Sequence, residues 1–250
     1  MSMALVRSIV LILMCLLIMA PADCPPDKMH LDIHRIPQQT DDWCWAASAE
    51  MAMHFARSST YVRQCLQADI SDAPPGSTQP PHCCAVGADN YTNSPDSCDT
   101  QSLPDFDRFT YHADTNNSDP DSNTDGAVLS WTKLIAIIGC NQSPVVFAWK
   151  FSGGGGHTMI AIGYRTVLDA DGNSVNMVEI NDPETLDSDD QRVANAIEQG
   201  QTLATNAGLD PTTPGQTYIT YEAFDKSPAT RGSSAYHHWV DYSNITYPAN

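Results

Sequence analysis

The positions of the cysteines constrain the fold of this chain more than any other feature of its sequence. Eight cysteines occur, and Cys15 lies in an apolar run near the N-terminus. The others lie between residues 24 and 140: Cys24, Cys44, Cys65, Cys83, Cys84, Cys98 and Cys140. In an oxidising compartment an odd number of cysteines leaves at least one thiol free, so we expect up to three disulfides and one unpaired cysteine. The adjacent Cys83 and Cys84 should take different partners.

The N-terminal segment predicts export. Arg7 precedes an apolar run at residues 8–20, and the small residues Ala20 and Ala22 follow in the spacing that signal peptidase recognises. We therefore predict a secretory signal peptide at residues 1–22, cleaved after Ala22. The run is shorter than the roughly 20 apolar residues of a membrane-spanning helix, so a membrane anchor is disfavoured. The expected product is a secreted protein, extracellular or periplasmic, with one domain at residues 23–250 and no membrane association after cleavage.

The charge of the chain bears on its partners. The formal net charge is -18 at pH 7 with histidine neutral. Nucleic acids and anionic lipids carry charge of the same sign, so neither is an expected partner.

One segment has the composition of a buried helix. Residues 44–56 are rich in Ala and Met, lack Gly and Pro, and are apolar on nearly all sides. Thr40, Asp41 and Asp42 precede this segment and are candidates for capping its N-terminus. Further helices are predicted at about 61–67, 128–138 and 189–200.

Strand patterns dominate the second half of the chain. Strands are predicted at 144–149, 157–164, 175–180, 218–221 and 236–246, with a hairpin turn at 171–173. Residues from about 60 to 126 are predicted to form an irregular, disulfide-rich region that ends in an acidic loop at 112–126. Residues from about 184 to 216 are predicted to form a polar insertion. Helices followed by antiparallel strands indicate an α+β fold, in which a helical half faces a sheet half.

Cys44 lies in the first turn of the predicted helix. Unpaired backbone N–H groups and the positive end of the helix dipole favour a thiolate there, and the thiolate is the reactive form of cysteine. A buried or disulfide-bonded cysteine explains this position equally well when it is taken alone. Gln38, six residues earlier, could donate to a developing oxyanion together with the backbone N–H of Cys44.

His157 is the candidate base. It follows four glycines, residues 153–156, and begins an apolar strand, which leaves its imidazole unobstructed beside an approaching substrate backbone. Asn181 and Asp182 end the returning strand, where a side-chain oxygen could fix the tautomer of the imidazole. Because side chains alternate along a strand, only one of the two can face His157. Asp182 is our choice and Asn181 the alternative. Taken singly, each has an ordinary explanation as a core or turn residue.

These motifs together resemble the bacterial papain-like cysteine proteases. The resemblance rests on Gln38-Gln-Thr-Asp-Asp-Trp-Cys-Trp-Ala-Ala47, the glycine run with His157, and Asn181-Asp182-Pro183. The chain is most similar to the group that includes secreted effector proteases of plant pathogens, and more distantly to the double-glycine leader peptidases of bacteriocin exporters. The cluster Cys65, Cys83, Cys84 and Cys98, and Tyr221-Glu-Ala-Phe224 with Trp239, extend it over most of residues 36–245.

The resemblance implies a papain-like fold and a secreted cysteine endopeptidase that hydrolyses peptide bonds. Cys44 would be the nucleophile that forms a thioester, His157 the general base and acid, Asp182 the orienting residue and Gln38 the oxyanion donor. The implied substrate is a protein or peptide. The same residues would also serve an acyltransferase or a peptidoglycan-trimming amidase. A third alternative is a catalytically silent binding module or toxin that keeps the fold.

Neither a cofactor nor a metal is expected. Residues 169–173 resemble the start of a calcium loop, but Ile180 occupies the position of the bidentate acid, so a hairpin turn is favoured. His82, Cys83, Cys84 and Cys98 could be drawn as a zinc site. Export and uneven spacing favour disulfides instead.

Overall fold

The computed structural model describes residues 24–71, 83–84, 98–117, 128–184, 191–209, 217–225 and 236–248. The predicted signal peptide and His82 lie outside these ranges. The helices are α1 (Cys44–Ala56), α2 (Gln64–Ser71), α3 (Trp131–Gly139), α4 (Gln191–Asn206) and α5 (Tyr221–Asp225). The strands are β1 (Met29–His30), β2 (His112–Asn117), β3 (Val145–Phe151), β4 (Gly156–Leu168), β5 (Ser174–Asn181), β6 (Thr217–Thr220) and β7 (Tyr236–Thr246). In the described ranges, no helix has the length and apolar character needed to cross a membrane.

The strands form one antiparallel sheet. Its order is β2-β7-β3-β4-β5-β6, and β1 pairs with β4 beside that path. Helices α1 and α2 come before most of the strands and pack as a separate layer, which confirms the predicted α+β fold with a helical N-terminal half.

The core lies between α1 and the centre of the sheet. Ala49, Met51 and Met53 of α1 are fully buried with the β3 and β4 side chains, whose continuous apolar runs suit strands that are covered on both faces. Each buried methylene contributes roughly 0.8 kcal/mol to such packing. Ser48 Oγ also donates to the Thr158 carbonyl oxygen over 3.0 Å, which fixes the first half of α1 beside the start of β4.

Two hairpins bring distant residues to the start of β4. In the β3–β4 hairpin Trp149 pairs with His157, and in the β4–β5 hairpin Ile160 pairs with Asn181. The end of β5 therefore returns beside the start of β4, as the alternation of strands and turns predicts. The β4–β5 turn is closed by Asp169, which accepts from the Asn173 backbone N–H over 2.8 Å, so the predicted hairpin occupies the segment that resembles a calcium loop.

Three disulfides cross-link the described residues: Cys24–Cys140, Cys65–Cys84 and Cys83–Cys98. Among the described cysteines, Cys44 is the free one. The adjacent Cys83 and Cys84 take different partners, as expected. The Cys24–Cys140 bond joins positions 116 residues apart. Closing a loop of this length stabilises the fold by about 4 to 5 kcal/mol in a chain-entropy account.

Several local predictions were wrong. No side chain caps α1: its N-cap is Trp43, and the Asp42 carboxylate accepts from Gln101 instead. Residues 112–117 form an edge strand paired with β7 rather than part of an acidic loop, because their polar side chains hide the strand pattern. Tyr221 begins a helix rather than ending a strand, since Thr220 Oγ1 accepts from the Ala223 N–H and starts a turn there.

Candidate active site

The start of α1 presents Cys44 in a favourable electrostatic setting. The first turn holds no acidic residue and no side-chain cap, so its N–H groups and the positive end of the helix dipole remain available to the sulfur. Trp43 Nε1 donates to the Cys98 carbonyl oxygen over 2.6 Å, and Trp45 Nε1 to that of Thr100 over 3.1 Å. The two indoles therefore fix the start of α1 against the segment that follows Cys98. Cys44 itself is 8% exposed.

His157 and Asp182 form a buried pair. His157 Nε2 lies 2.8 Å from Asp182 Oδ1, and the two residues are 5% and 7% exposed. Asn181 points elsewhere, because its Nδ2 donates to the Ile33 carbonyl oxygen over 2.8 Å. The structure thus brings Asp182 to His157, while the Asn181 side chain points to the N-terminal segment. Alternation of side chains along a strand requires that only one of the two faces His157.

The pKa of His157 is raised well above its usual value. Burial alone would lower it, but the charge of Asp182 and its hydrogen bond outweigh burial, and a hydrogen bond with Cys44 and its charge add to the rise. Because Asp182 occupies Nε2, Nδ1 is the nitrogen left to face Cys44. The raised pKa favours the protonated form of this imidazole.

The turn that carries Asp182 is held by an arginine from the N-terminal segment. Arg35 Nε donates to the Asp182 carbonyl oxygen, and its terminal nitrogen donates to the carbonyl oxygens of Glu184 and, over 3.4 Å, Pro183. The Gln38 backbone N–H donates to the Pro183 carbonyl oxygen over 2.9 Å. Asp182 Oδ1 also accepts from the Glu184 N–H over 2.9 Å.

Cys44 and His157 open into a cleft of about 520 Å³ between the helical half and the sheet half. One wall comes from the start of α1 and the segment after Cys98, and the other from β3, β4 and β7. The lining residues are Asp42, Cys44, Trp45, Gln101, Ser102, Leu103, Ala148, Lys150, Gly155, Gly156, His157, Thr158 and Trp239. A cleft of this size suits a short stretch of extended peptide.

A comparison with protein families agrees with this geometry. The model of the Peptidase_C39 like family matches residues 30–204, more than half of the chain. The chain belongs to the Peptidase_C39 like family. It is therefore a cysteine-type peptidase, a hydrolase of the bacterial papain-like class, and such enzymes act on proteins or peptides. A comparison with curated proteins finds no match.

Gln38 is placed differently from the other candidate residues of this Peptidase_C39 like protein. Its Nε2 donates to the Asp41 carbonyl oxygen over 2.9 Å, and it is not among the described residues that line the cleft. Its Oε1 is buried without a partner in the described part of the chain. The structure therefore brings Cys44, His157 and Asp182 together, and leaves the Gln38 amide engaged with the turn that precedes α1.

Three contributors to this peptidase site went unnoticed in the sequence. Arg35 holds the Asp182 turn, Gln101 lies across the cleft, and Glu184 Oε2 lies 3.9 Å from His157 Nδ1. The two tryptophans that flank Cys44 were a usable signal, because buried indoles need acceptors and so predict a neighbouring backbone segment. Arg35 and Gln101 gave no such signal, since their partners are distant in sequence.

The described residues of this peptidase include no group of three or more His, Cys, Asp or Glu side chains arranged to hold a metal ion. Cys83 and Cys98, two residues of the zinc alternative, are bonded to each other.

Proposed function

We propose that this peptidase is a secreted cysteine endopeptidase that hydrolyses peptide bonds through a thioester on Cys44. The observation that carries the proposal is the setting of His157. Its imidazole is buried and hydrogen-bonded to Asp182 through Nε2. Its other nitrogen is directed toward the free cysteine at a helix N-terminus. These are the nucleophile, base and orienting group of a thiol peptidase, in mutual reach at one cleft.

Acylation follows from this arrangement. His157 takes the thiol proton of Cys44, and the thiolate sulfur attacks the scissile carbonyl carbon to form a tetrahedral intermediate. When the intermediate collapses, the imidazolium gives its proton to the leaving nitrogen, so the amine departs neutral and the acyl group remains on sulfur as a thioester. Asp182 keeps the imidazole in one orientation and stabilises its charged form throughout.

Deacylation uses the same groups in reverse order. A water molecule enters the place of the departed amine, His157 removes one of its protons, and the hydroxide adds to the thioester carbonyl. Collapse of this second intermediate releases the carboxylic acid and returns the thiolate of Cys44 beside the protonated His157. The atoms balance as the addition of one water to one peptide bond.

Two donors are proposed for the oxyanion. The backbone N–H of Cys44 opens α1, where no intrahelical acceptor exists, and the Gln38 amide is the second. To serve in this role, Gln38 Nε2 must exchange the Asp41 carbonyl oxygen for the substrate oxygen. The exchange replaces one acceptor of the Gln38 amide by another.

Export is supported by the cysteines. Three disulfides among the described residues fit an oxidising compartment, and the apolar run at residues 8–20 supplies a signal for reaching it. N-terminal sequencing of the protein recovered outside the cytoplasm should begin at Asp23. Recovery of protein that still carries residues 1–22 would contradict this part of the proposal.

The test of the catalytic role compares the exported protein with Cys44→Ala. A mixed peptide library is incubated with each, with and without a covalent thiol-peptidase inhibitor, and products are identified by mass spectrometry. We expect cleavage by the unaltered protein, loss with the inhibitor, and no cleavage by Cys44→Ala. Products that carry water indicate hydrolysis, whereas joined peptides indicate the acyltransferase alternative.

Two controls make the result decisive. Iodoacetamide, applied with the disulfides intact, should modify Cys44 and no other cysteine of the described chain. Matching unfolding transitions of the two proteins show that the substitution acts on chemistry rather than on folding. Cleavage by Cys44→Ala would overturn the mechanism. A folded, labelled protein that cleaves nothing would favour the silent binding module.

A further inference from the structure

One side chain lies across the cleft from wall to wall. Gln101 Nε2 donates to Asp42 Oδ1 over 3.0 Å, on the side of the cleft formed by the helical half. Its amide also packs against Gly155 on the opposite wall: a Cβ added to Gly155 would lie 2.9 Å from Gln101 Oε1 and 3.2 Å from Nε2. We call this arrangement of Gln101 between Asp42 and Gly155 the Gln101 bridge.

The Gln101 bridge stands directly beside the proposed reacting groups. Asp42 precedes Cys44 by two residues, and Gly155 precedes His157 by two residues. The same cleft is lined by all of them: Asp42, Cys44, Gln101, Gly155 and His157. The bridge therefore closes the cleft over the positions next to the nucleophile and the base, where the residue on one side of the scissile bond must be accommodated.

The backbone beneath Gln101 is held at several points. Cys98 is bonded to Cys83, and the carbonyl oxygens of Cys98 and Thr100 accept from the indoles of Trp43 and Trp45. Asp99 Oδ1 accepts from the Asp42 N–H over 3.0 Å. These contacts fix the three residues that precede Gln101, so its side chain extends over the cleft from a rigid base.

The opposite wall is shaped to receive the bridge. Gly155 has a φ of +72°, a backbone conformation that side chains with a Cβ rarely adopt. A side chain at this position would also collide with the amide of Gln101. Glycine is thus required by the turn between β3 and β4, and a side chain in its place would displace the Gln101 amide.

We propose that Gln101 is a specificity-determining residue, which limits the size of the substrate side chain bound beside the scissile bond. The space that a bulky side chain would need between Asp42 and Gly155 is filled by the amide. Such a chain enters only if the hydrogen bond to Asp42 breaks and Gln101 turns out to solvent, where it is already exposed. This inference rests on the proposed function, because it assigns a substrate preference to that cleft.

The test measures kcat/KM for matched peptides. A sequence cleaved in the library is made with Ala or Leu at each position that flanks the scissile bond, and the Ala-to-Leu ratio is measured for each. At one of the two positions we expect the unaltered protein to prefer Ala by about three- to tenfold, the range that the loss of one exposed hydrogen bond provides. Gln101→Ala should bring that ratio close to one by raising kcat/KM for the Leu peptide.

Two further variants separate the bridge from general effects. Gln101→Glu keeps the length of the side chain but sets a carboxylate against Asp42, so it should lower the ratio as well. Ser102→Ala, the neighbouring change in the same wall, should leave the ratio unaltered. Iodoacetamide is small enough to pass the bridge, so its rate of reaction with Cys44 should be alike in the unaltered protein, Gln101→Ala and Ser102→Ala.

The outcomes distinguish this inference from the proposed function. Cys44-dependent cleavage with the same Ala-to-Leu ratios in the unaltered protein and Gln101→Ala overturns the role of Gln101 and leaves the proposed function intact. Equal loss of the ratio in Ser102→Ala also overturns it, because the effect would then belong to the whole segment. Absence of Cys44-dependent cleavage of any peptide by the unaltered protein overturns the proposed function and this inference with it.

Discussion

Two buried histidine–aspartate pairs of nearly the same geometry lie in the described part of the chain, and only one of these two opens into the cleft. His157 Nε2 lies 2.8 Å from Asp182 Oδ1, and His238 Nε2 lies 2.7 Å from Asp241 Oδ1. The pKa of each histidine is raised, since the charge and hydrogen bond of its aspartate outweigh the lowering caused by burial. The pairing with a carboxylate therefore does not by itself distinguish a reactive histidine from a structural one.

The second ring nitrogen makes the difference. His238 Nδ1 lies 2.7 Å from the Phe224 carbonyl oxygen, which only accepts, so Nδ1 donates there and neither nitrogen of this ring is left to face another group. Its neighbours are the rings of Phe147 and Phe224, and both members of the pair are 0% exposed. His157 instead has Nδ1 directed toward the Cys44 thiol, with Glu184 Oε2 also 3.9 Å from that nitrogen. A histidine–aspartate pair holds charge, and the group at the other nitrogen decides whether a proton can move.

Replacing each histidine in turn tests this comparison with the largest expected effects. His157→Ala removes the proposed base and should lower kcat/KM by at least about 10³-fold, as the loss of a member of a catalytic unit does. It should also lower the free energy of unfolding, because Asp182 is 7% exposed and keeps only the Glu184 N–H as a donor among the contacts described, but by less than the loss of a histidine whose aspartate is 0% exposed. Peptide hydrolysis and urea unfolding, measured on the same samples, check both expectations.

His238→Ala should show the opposite pattern. It leaves Asp241 buried with only the Asn116 amide as a donor among the contacts described, over 3.1 Å, and removal of one partner from a buried pair costs about 3 to 5 kcal/mol of unfolding free energy. The fraction that remains folded should keep kcat/KM near that of the unaltered protein. A His238→Ala protein that unfolds normally but fails to cleave would break the comparison, since the core pair would then take part in catalysis.

Replacing each aspartate by asparagine gives smaller effects with distinct pH dependence. Asp182→Asn keeps an acceptor oxygen and removes the charge, so kcat/KM should fall about 10- to 100-fold, the range of a charged hydrogen bond of about 1.5 to 3 kcal/mol. Because Asp182 raises the pKa of His157, its neutral replacement should move the basic limb of the kcat/KM profile to lower pH. A basic limb that does not move would show that another group sets it.

Asp241→Asn should alter stability instead. A histidine with a raised pKa in the folded state stabilises the fold fully below its unfolded pKa of about 6.5, and this contribution is lost as the pH rises through the folded pKa. The difference in unfolding free energy between the unaltered protein and Asp241→Asn should therefore be largest near pH 6 and shrink toward alkaline pH. Urea unfolding at several pH values checks this, and a difference that grows with pH would contradict it.

The sequence predicts the residues of the candidate site better than it predicts the residues that hold them in place. Cys44, His157 and Asp182 lie where helix and strand patterns place them, because a helix start and two hairpins are local features with local signals. His238 carries no such signal: its partner is three residues away on a strand interrupted by a bulge, between the pairs Ala148–Val240 and Trp149–His238. The Gln101 bridge and the Arg35 contacts join residues 59 and about 150 positions apart, and no periodicity links them.

Replacing Arg35 has the smallest predicted effect, and it is the sharpest test of how the His157–Asp182 pair is held in place. Its guanidinium binds three consecutive carbonyl oxygens of the Asp182 turn, whereas Asp241 is fixed within a strand by the sheet itself. Arg35→Ala should lower kcat/KM about three- to tenfold. It should also move the basic limb of the kcat/KM profile to lower pH, but by less than Asp182→Asn does. Arg35→Lys should partly restore both kcat/KM and the position of the limb.

The double variant decides whether Arg35 acts through Asp182. If Arg35 positions the carboxylate, then Arg35→Ala added to Asp182→Asn should cost less than it does alone, because residues in one network are not additive. Full additivity, together with a basic limb that Arg35→Ala leaves in place, would show that Arg35 only stabilises the turn. The same substitution should leave the pH dependence attributed to His238 unchanged, since none of the described Arg35 contacts reaches that pair. A non-additive cycle confined to His157 and Asp182 would thus separate the pair that depends on a turn held by Arg35 from the pair that lies within the sheet.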